Sequence, residues 1–158
     1  MLMKKKHLRS PPPKILRLLV EHQRWLNTGG QFGEQLDQDE IQLVDMDLDG
    51  IDFSGAKLPW VCFHRSSLRG ARFGGAKLRH ARFISCNIEG ADFSNAELQE
   101  AVFATNHEKA YFEGADLTET AWSLEEMKNK GSVQDAQRNE RMAFIGGFMS
   151  KLSKGPGA

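Results

Sequence analysis

The sequence predicts an all-β solenoid in which short extended segments wind into stacked, four-sided coils. Residues 41–105 divide into thirteen consecutive five-residue units, each with a large apolar residue at its third position and usually a small one two places earlier. From Phe53 to Phe103 the large residues alternate between phenylalanine and leucine or isoleucine. Like residues stack on like if one coil holds four units, whereas three units per coil would stack phenylalanine on leucine, so the alternation predicts a coil of twenty residues.

A five-residue period can fold because each unit supplies one side of a coil. In an extended segment alternate side chains share a face, so the first and third residues point inward and the second points outward. The fourth and fifth residues then turn the corner. Glycine often occupies the fifth position, where a type II turn requires positive φ. These glycines are Gly50, Gly55, Gly70, Gly75, Gly90 and Gly114.

Charged residues twenty positions apart complement one another. The sets are Asp45 with Arg65, Asp49 with Arg69 and Glu89, Asp52 with Arg72 and Asp92, and Lys77 with Glu97. Adjacent rungs of a β-stack lie about 4.8 Å apart, so these sets predict ladders of opposite charge on the outer surface. The band of basic residues from Lys57 to Arg82 has a second interpretation, a nucleic-acid surface. The ladders account for most of the band, and we favour them.

The repeated motif is a small residue, a polar residue, leucine or phenylalanine, and two variable positions. It runs through residues 41–105 and resumes at Ala110. In this motif the chain resembles the pentapeptide-repeat family. The resemblance implies a right-handed quadrilateral β-helix, here of about four coils. It implies little about activity, because most members of the family have no assigned one.

Residues 106–109 interrupt the repeat by four residues. If they occupy one side of a coil, Phe112 continues the stack of Phe53, Phe73 and Phe93. We therefore expect a local bulge with the register preserved. The bulge has two interpretations, a loop that contacts a partner or a tolerated deletion.

The flanking segments predict a cap at each end. We expect residues 1–13 to form a flexible basic tail. Residues 14–40 should form a helix from Lys14 to Leu26 followed by a polar linker. Large residues replace the small ones in the first coil, at Ile41, Met46 and Ile51, so we expect this helix to pack over that end of the repeat region, residues 41–123. Residues 124–158 predict a short helix ending near Lys130, a second helix over 132–152, and a flexible tail.

The last predicted helix carries an apolar stripe. Its residues are Met142, Ile145, Phe148, Met149 and Leu152. The stripe has three interpretations: it caps the last coil, it joins two copies of the chain as a homodimer, or it contacts a partner or membrane surface.

The residues that could carry chemistry are scattered. Within the repeat they are Cys62, His64, His80, Cys86 and His107. Cys86 falls on an inward position and predicts a core thiol. The pair Cys62 and His64 flanks inward Phe63, and no second pair completes a tetrahedral metal site. We therefore expect no enzymatic activity, no metal and no cofactor. The glycines of residues 70–75 are explained by turns, and no phosphate-binding lysine follows them.

Composition bounds the remaining function classes. Acidic and basic residues number 21 each, which gives no overall bias toward nucleic acid or an anionic membrane. The absence of a long apolar run and the two cysteines predict a cytoplasmic protein in a reducing compartment.

We predict a non-enzymatic scaffold that binds an unidentified protein partner. The least charged side and its adjoining corner are the predicted contact surface, formed by Trp60, His64, His80 and Ile84. The family resemblance supplies an alternative, a DNA mimic that binds DNA gyrase as quinolone-resistance pentapeptide proteins do. The basic band weakens that alternative.

Overall fold

The computed structural model describes residues 8–129. The helices are α1, Pro13–Asn27, and α2, Leu124–Asn129; the strands are β1, Gln42–Val44, β2, Cys62–His64, β3, Arg82–Ile84, and β4, Val102–Ala104. The predicted helix over 132–152 lies outside the described residues. With it lie its apolar residues Met142, Ile145, Phe148, Met149 and Leu152.

The strands form a parallel four-stranded sheet in the order β1-β2-β3-β4. Leu43 pairs with Phe63, Phe63 with Phe83, and Phe83 with Phe103. Each step is twenty residues, or four five-residue units. Isolated parallel bridges repeat the same step on other sides of the coil, as between Asp52 and Arg72. The predicted twenty-residue coil is therefore confirmed, and the chain forms a four-sided β-helix.

Stacked aromatic rings fill the interior. The ring of Phe73 lies parallel to those of Phe53 and Phe93, with centroids 4.9 and 4.8 Å away, and meets Phe63 and Phe83 edge-on. All five rings are fully buried. Parallel and edge-on contacts are the two arrangements that the ring quadrupole favours. The period of five thus produces the same contact in coil after coil.

A tight turn closes each corner. At one of them the Ala56 N–H donates to the carbonyl of Phe53 at 3.0 Å, and Gly55 between them has φ of 66°. This conformation favours glycine because a Cβ is crowded at positive φ. The glycines at the fifth position therefore serve the turn, as the sequence predicts.

The interruption at residues 106–109 shortens one side by one residue. Before it the rungs are twenty residues apart; after it Asp92 pairs with Tyr111 and Glu97 with Asp116, nineteen residues apart. Phe112 nevertheless stacks on Phe93, with centroids 5.2 Å apart and the rings nearly parallel. The predicted continuation of this stack is confirmed.

Helix α1 packs on the core at the first coil. Pro13 stands in its first turn, where its missing N–H costs no hydrogen bond. Ile15, Leu18 and Leu19 pack against the core, as do Ile41, Met46 and Ile51 of the first coil. The Trp25 ring lies over the turn at Gly55.

The residues before α1 are also attached to the first coil. Arg9 forms a parallel bridge with Met46, and its N–H donates to the carbonyl of Asp45 at 2.7 Å. The segment predicted as a flexible tail is thus paired at Arg9, because the first coil offers it an unpaired backbone edge.

The chain divides into two compact units, residues 1–124 and 125–158. The first contains α1 and the β-helix. The described part of the second is the remainder of α2, whose first turn carries Glu125 and Glu126. Within residues 8–129 no helix has the length and apolar character needed to cross a membrane.

Candidate interaction surface

Aromatic side chains stack at one corner of the β-helix. The rings of Trp60 and His80, which are twenty residues apart in the sequence, lie 3.8 Å apart between centroids and nearly parallel. Glu100 follows one coil later, and its Oε2 lies 3.4 Å from Nδ1 of His80. Arg79 also contacts this carboxylate at 3.3 Å. We call Trp60, His80 and Glu100 the aromatic corner.

The backbone of this corner has the conformation that glycine favours. Trp60 has φ of 61° and His80 of 59°, like Gly55 and Gly75 at other corners. A side chain in this region costs about 1 kcal/mol or more. Among the described residues with positive φ, these two are the aromatic ones. The turn conformation by itself does not require aromatic residues at these two positions.

The flat side beside this corner is less accessible than the sequence suggests. His64 pairs in register with Ile84, and their exposed fractions are 5% and 3%. Cys62 on the rung of His64 and Val102 on the rung after Ile84 are buried as well. Because equivalent side chains lie one rung apart, apolar residues on this side cover one another. Of the predicted contact residues, Trp60 and His80 are the partly exposed ones.

Burial keeps the thiols of Cys62 and Cys86 protonated and so makes them poor nucleophiles. It raises the pKa of Cys86 to about 12 and raises the pKa of Cys62, although nearby Arg82 opposes the second shift. A protonated thiol is neither a nucleophile nor a metal ligand. Cys86 lies in the core with its Sγ 3.3 Å from the carbonyl of Phe63, as predicted.

The histidines are dispersed among structural contacts. Burial lowers the pKa of His64, and Arg65 lowers it further. His107 packs against Trp122, with ring centroids 4.5 Å apart. Over residues 8–129 the fold brings together no group of three histidine, cysteine or carboxylate side chains that could hold a metal.

Ion pairs between successive coils neutralise much of the basic band. They include Asp45 with Arg65 at 2.8 Å, Asp52 with Arg72 at 3.6 Å, Arg69 with Glu89 at 4.0 Å and Lys77 with Glu97 at 3.9 Å. Asp49 contacts the next rung differently, by accepting a hydrogen bond from the backbone N–H of Arg69. The predicted ladders are thus confirmed at four places. Each exposed pair contributes only about 0 to 1 kcal/mol.

The shortened side at residues 106–109 is a surface turn. The side chain of Asn106 accepts a hydrogen bond from the backbone N–H of Glu108, and Lys109 pairs with Glu89 at 3.2 Å. The first contact closes the turn, and the second holds it to the neighbouring coil.

Sequence reasoning missed the residue that joins α1 to the first coil. His22 is fully buried; its Nε2 lies 3.1 Å from the carbonyl of Ser54, and its Nδ1 accepts a hydrogen bond from the N–H of Leu36. The ring is therefore a neutral tautomer with the proton on Nε2. The available signal was its helical spacing from Leu18 and Leu19, but nothing in the sequence marked its partners.

The family model for pentapeptide repeats matches residues 66–103 with eight copies. The chain carries pentapeptide repeats. None of the curated proteins matches it significantly.

Several solved pentapeptide-repeat structures are similar to this pentapeptide-repeat chain. Rfr23 from the cyanobacterium Cyanothece 51142 is 25% identical over 60% of this chain and 69% of its own, with a TM-score of 0.35. The plasmid-mediated fluoroquinolone resistance protein QnrB1 is 24% identical over 52% of this chain and 55% of its own, with a TM-score of 0.28. A pentapeptide-repeat protein from the Arabidopsis thaliana thylakoid lumen is 25% identical over 60% of this chain and 73% of its own, with a TM-score of 0.23.

Proposed function

We propose that this chain is a non-enzymatic, cytoplasmic scaffold that binds a protein partner through its aromatic corner. The proposed architecture is a right-handed β-helix of about four coils with helices at its ends. Apolar side chains fill its inward positions, so a ligand has to bind on the outer surface. Pentapeptide-repeat proteins are generally structural or interaction proteins, which supports the same proposal.

The stacked pair of Trp60 and His80 carries the proposal. Both side chains occupy turn positions that glycine fills elsewhere, and they form a flat aromatic surface beside a carboxylate. Tryptophan is among the residues enriched in binding hot spots. His64 and Ile84 are buried on the adjoining side, and we assign them a supporting role.

Replacing Trp60 and His80 by glycine separates binding from folding. Glycine accepts the positive φ of both turns, and this gain offsets the lost ring stack, worth roughly 0.5–1.5 kcal/mol. We expect W60G/H80G to unfold in urea within about 1 kcal/mol of the wild type. A partner cross-linked to the wild-type protein should lose at least tenfold in affinity for the variant.

A matched control uses another turn. Asn95 has φ of 57°, so Asn95→Gly makes the same backbone change away from the corner. Retained binding by N95G with loss in W60G/H80G supports the proposal. A partner that binds W60G/H80G as tightly as the wild type contradicts it.

Self-association through the second predicted C-terminal helix is a separate proposal. Its basis is the apolar stripe in the sequence, of which Phe148 and Met149 are the central members. Multi-angle light scattering should show a dimer that F148D/M149D converts to a monomer, because charge in an apolar interface is costly. A monomeric wild-type protein rules this proposal out.

The DNA-mimic alternative requires a continuous acidic surface. The ion pairs of Arg65, Arg72 and Lys77 place cations among the carboxylates instead, so the charge pattern does not favour it. A gyrase supercoiling assay is the direct test, and inhibition or protection of gyrase by the protein would restore the alternative.

A further inference from the structure

The outer face of α1 carries large apolar side chains that the core does not use. Leu16 and Val20 lie one turn apart and are 43% and 62% exposed, whereas Leu18 and Leu19 pack on the core. Phe32, 59% exposed, extends this face, because its ring lies 5.9 Å from the guanidinium carbon of Arg24 in α1. We call Leu16, Val20 and Phe32 the apolar strip.

Exposed cations lie on the same helix as Leu16 and Val20. Residues 1–27 contain one acidic residue, Glu21, and seven basic ones: Lys4, Lys5, Lys6, Arg9, Lys14, Arg17 and Arg24. Because the whole chain has no net charge, the remainder is acidic and the basic charge is concentrated here. Lys14, Arg17 and Arg24 are exposed on α1 itself. The balanced composition concealed this asymmetry.

We propose that the outer face of α1 docks on an anionic lipid bilayer. A helix that presents apolar side chains between cations suits the boundary between headgroups and acyl chains. The anionic surface attracts each nearby cation by about 1 kcal/mol. A nucleic acid would use the cations but would leave Leu16 and Val20 exposed to water.

The shape of the apolar strip favours a bilayer over an acidic protein. Leu16 and Val20 lie on the convex surface of a single helix and Phe32 lies beside it, so a protein partner would have to cover them by offering a preformed groove. A bilayer accommodates a convex apolar surface by parting its headgroups. This inference goes beyond the proposed scaffold function and does not depend on the aromatic corner, so either can fail alone.

Co-sedimentation with vesicles tests the proposal. The full chain should pellet with phosphatidylcholine vesicles containing about 30% phosphatidylglycerol and remain in solution with phosphatidylcholine alone. L16S/V20S should weaken binding at least tenfold by removing the inserted groups. R17Q/R24Q should weaken it about thirtyfold, from about 1 kcal/mol per lost cation.

Matched variants control for exposure and charge. Tyr111, 63% exposed, lies on the β-helix away from α1, and Arg72 is an exposed cation of the ladders; Y111S and R72Q should bind like the wild type. The proposal is overturned if anionic vesicles do not bind, or if L16S/V20S binds as well as the wild type. Binding of a DNA duplex or an acidic peptide that L16S/V20S abolishes, without vesicle binding, also overturns it.

Discussion

The stacked interior and the α1 cap are stabilised in different ways. Phe73 contacts its equivalents Phe53 and Phe93, and the same arrangement recurs in the neighbouring coils. The cap depends on contacts that occur once, above all the two hydrogen bonds of His22. The contacts of the interior are therefore repeated and involve no titratable ring, whereas the cap has, besides its apolar contacts, a polar anchor that requires one side chain in one protonation state.

The largest effect is expected from a cavity in the middle of the stack. Phe73→Ala removes a fully buried ring with neighbours above, below and on both sides. We expect the free energy of unfolding in urea to fall by about 3–5 kcal/mol. Phe112→Ala, at a half-buried ring, should cost less. Equal losses at the two positions would contradict the ordering of burial along the stack.

We expect a smaller loss of stability, confined more closely to α1, from a substitution in the cap. His22→Ala leaves the N–H of Leu36 buried without its acceptor, which costs about 1–3 kcal/mol. Amide exchange should accelerate in α1 before it does in the strands. Gln23→Ala, on the exposed face of the same helix, should change stability by less than about 0.5 kcal/mol. If the strands lose protection together with α1, the cap is not a separate unit of stability.

Replacing Cys86 by serine should have a small effect. Ser66 occupies the equivalent position one coil earlier, and its hydroxyl donates to the carbonyl of Leu43 at 3.0 Å. Cys86 approaches the carbonyl of Phe63 in the same way. Cys86→Ser should therefore change the free energy of unfolding by less than about 1.5 kcal/mol. A larger loss would show that the two coils differ in their packing.

The smallest effect is expected from the ladders. Asp45→Asn removes the contact with Arg65 at 2.8 Å between partly exposed side chains. The loss should be at most about 1 kcal/mol and should disappear in concentrated salt. Thermal unfolding at low and high ionic strength measures it. A loss that salt does not reduce would indicate a packing role for Asp45.

Periodic features were predictable from the sequence, and single contacts were not. A coil of twenty residues follows from the alternation of phenylalanine with leucine, because the residues that make the same contact recur many times in the sequence. The stack of Trp60 on His80 follows from the same spacing. The burial of His64 and Ile84 was missed, because alternation assigns a side chain to a face without revealing how completely its neighbours cover it.

The partners of His22 had no periodic signal at all. The Ser54 carbonyl and the Leu36 N–H are backbone groups in a turn and a loop. Every residue has a backbone carbonyl, and nearly every residue an N–H, so the residue types do not show which of these groups meets His22. The exposed strip on α1 was hidden for a related reason. Leu16 and Val20 have the same apolar character as Leu18 and Leu19, and only the docking of α1 shows which face remains outside.

The pH dependence of the cap follows from the state of His22. Burial lowers the pKa of His22 below its ordinary value of 6.5, although the Ser54 carbonyl and Asp52 oppose the shift. The unfolded chain therefore binds a proton more readily than the folded one. The stabilisation by neutral His22 is complete above pH 6.5 and is lost as the pH falls below it, by up to about 1.4 kcal/mol per pH unit.

Hydrogen–deuterium exchange at about pH 7.5 and about pH 5.5 tests this contrast most directly. After correction for intrinsic exchange rates, we expect the protection of α1 amides to fall up to about tenfold at the lower pH. The amides of Phe73 and Phe93, which donate to carbonyls one coil away, should keep theirs. Protection of α1 that is unchanged at the lower pH, or that falls equally in α1 and in the stack, would contradict the account.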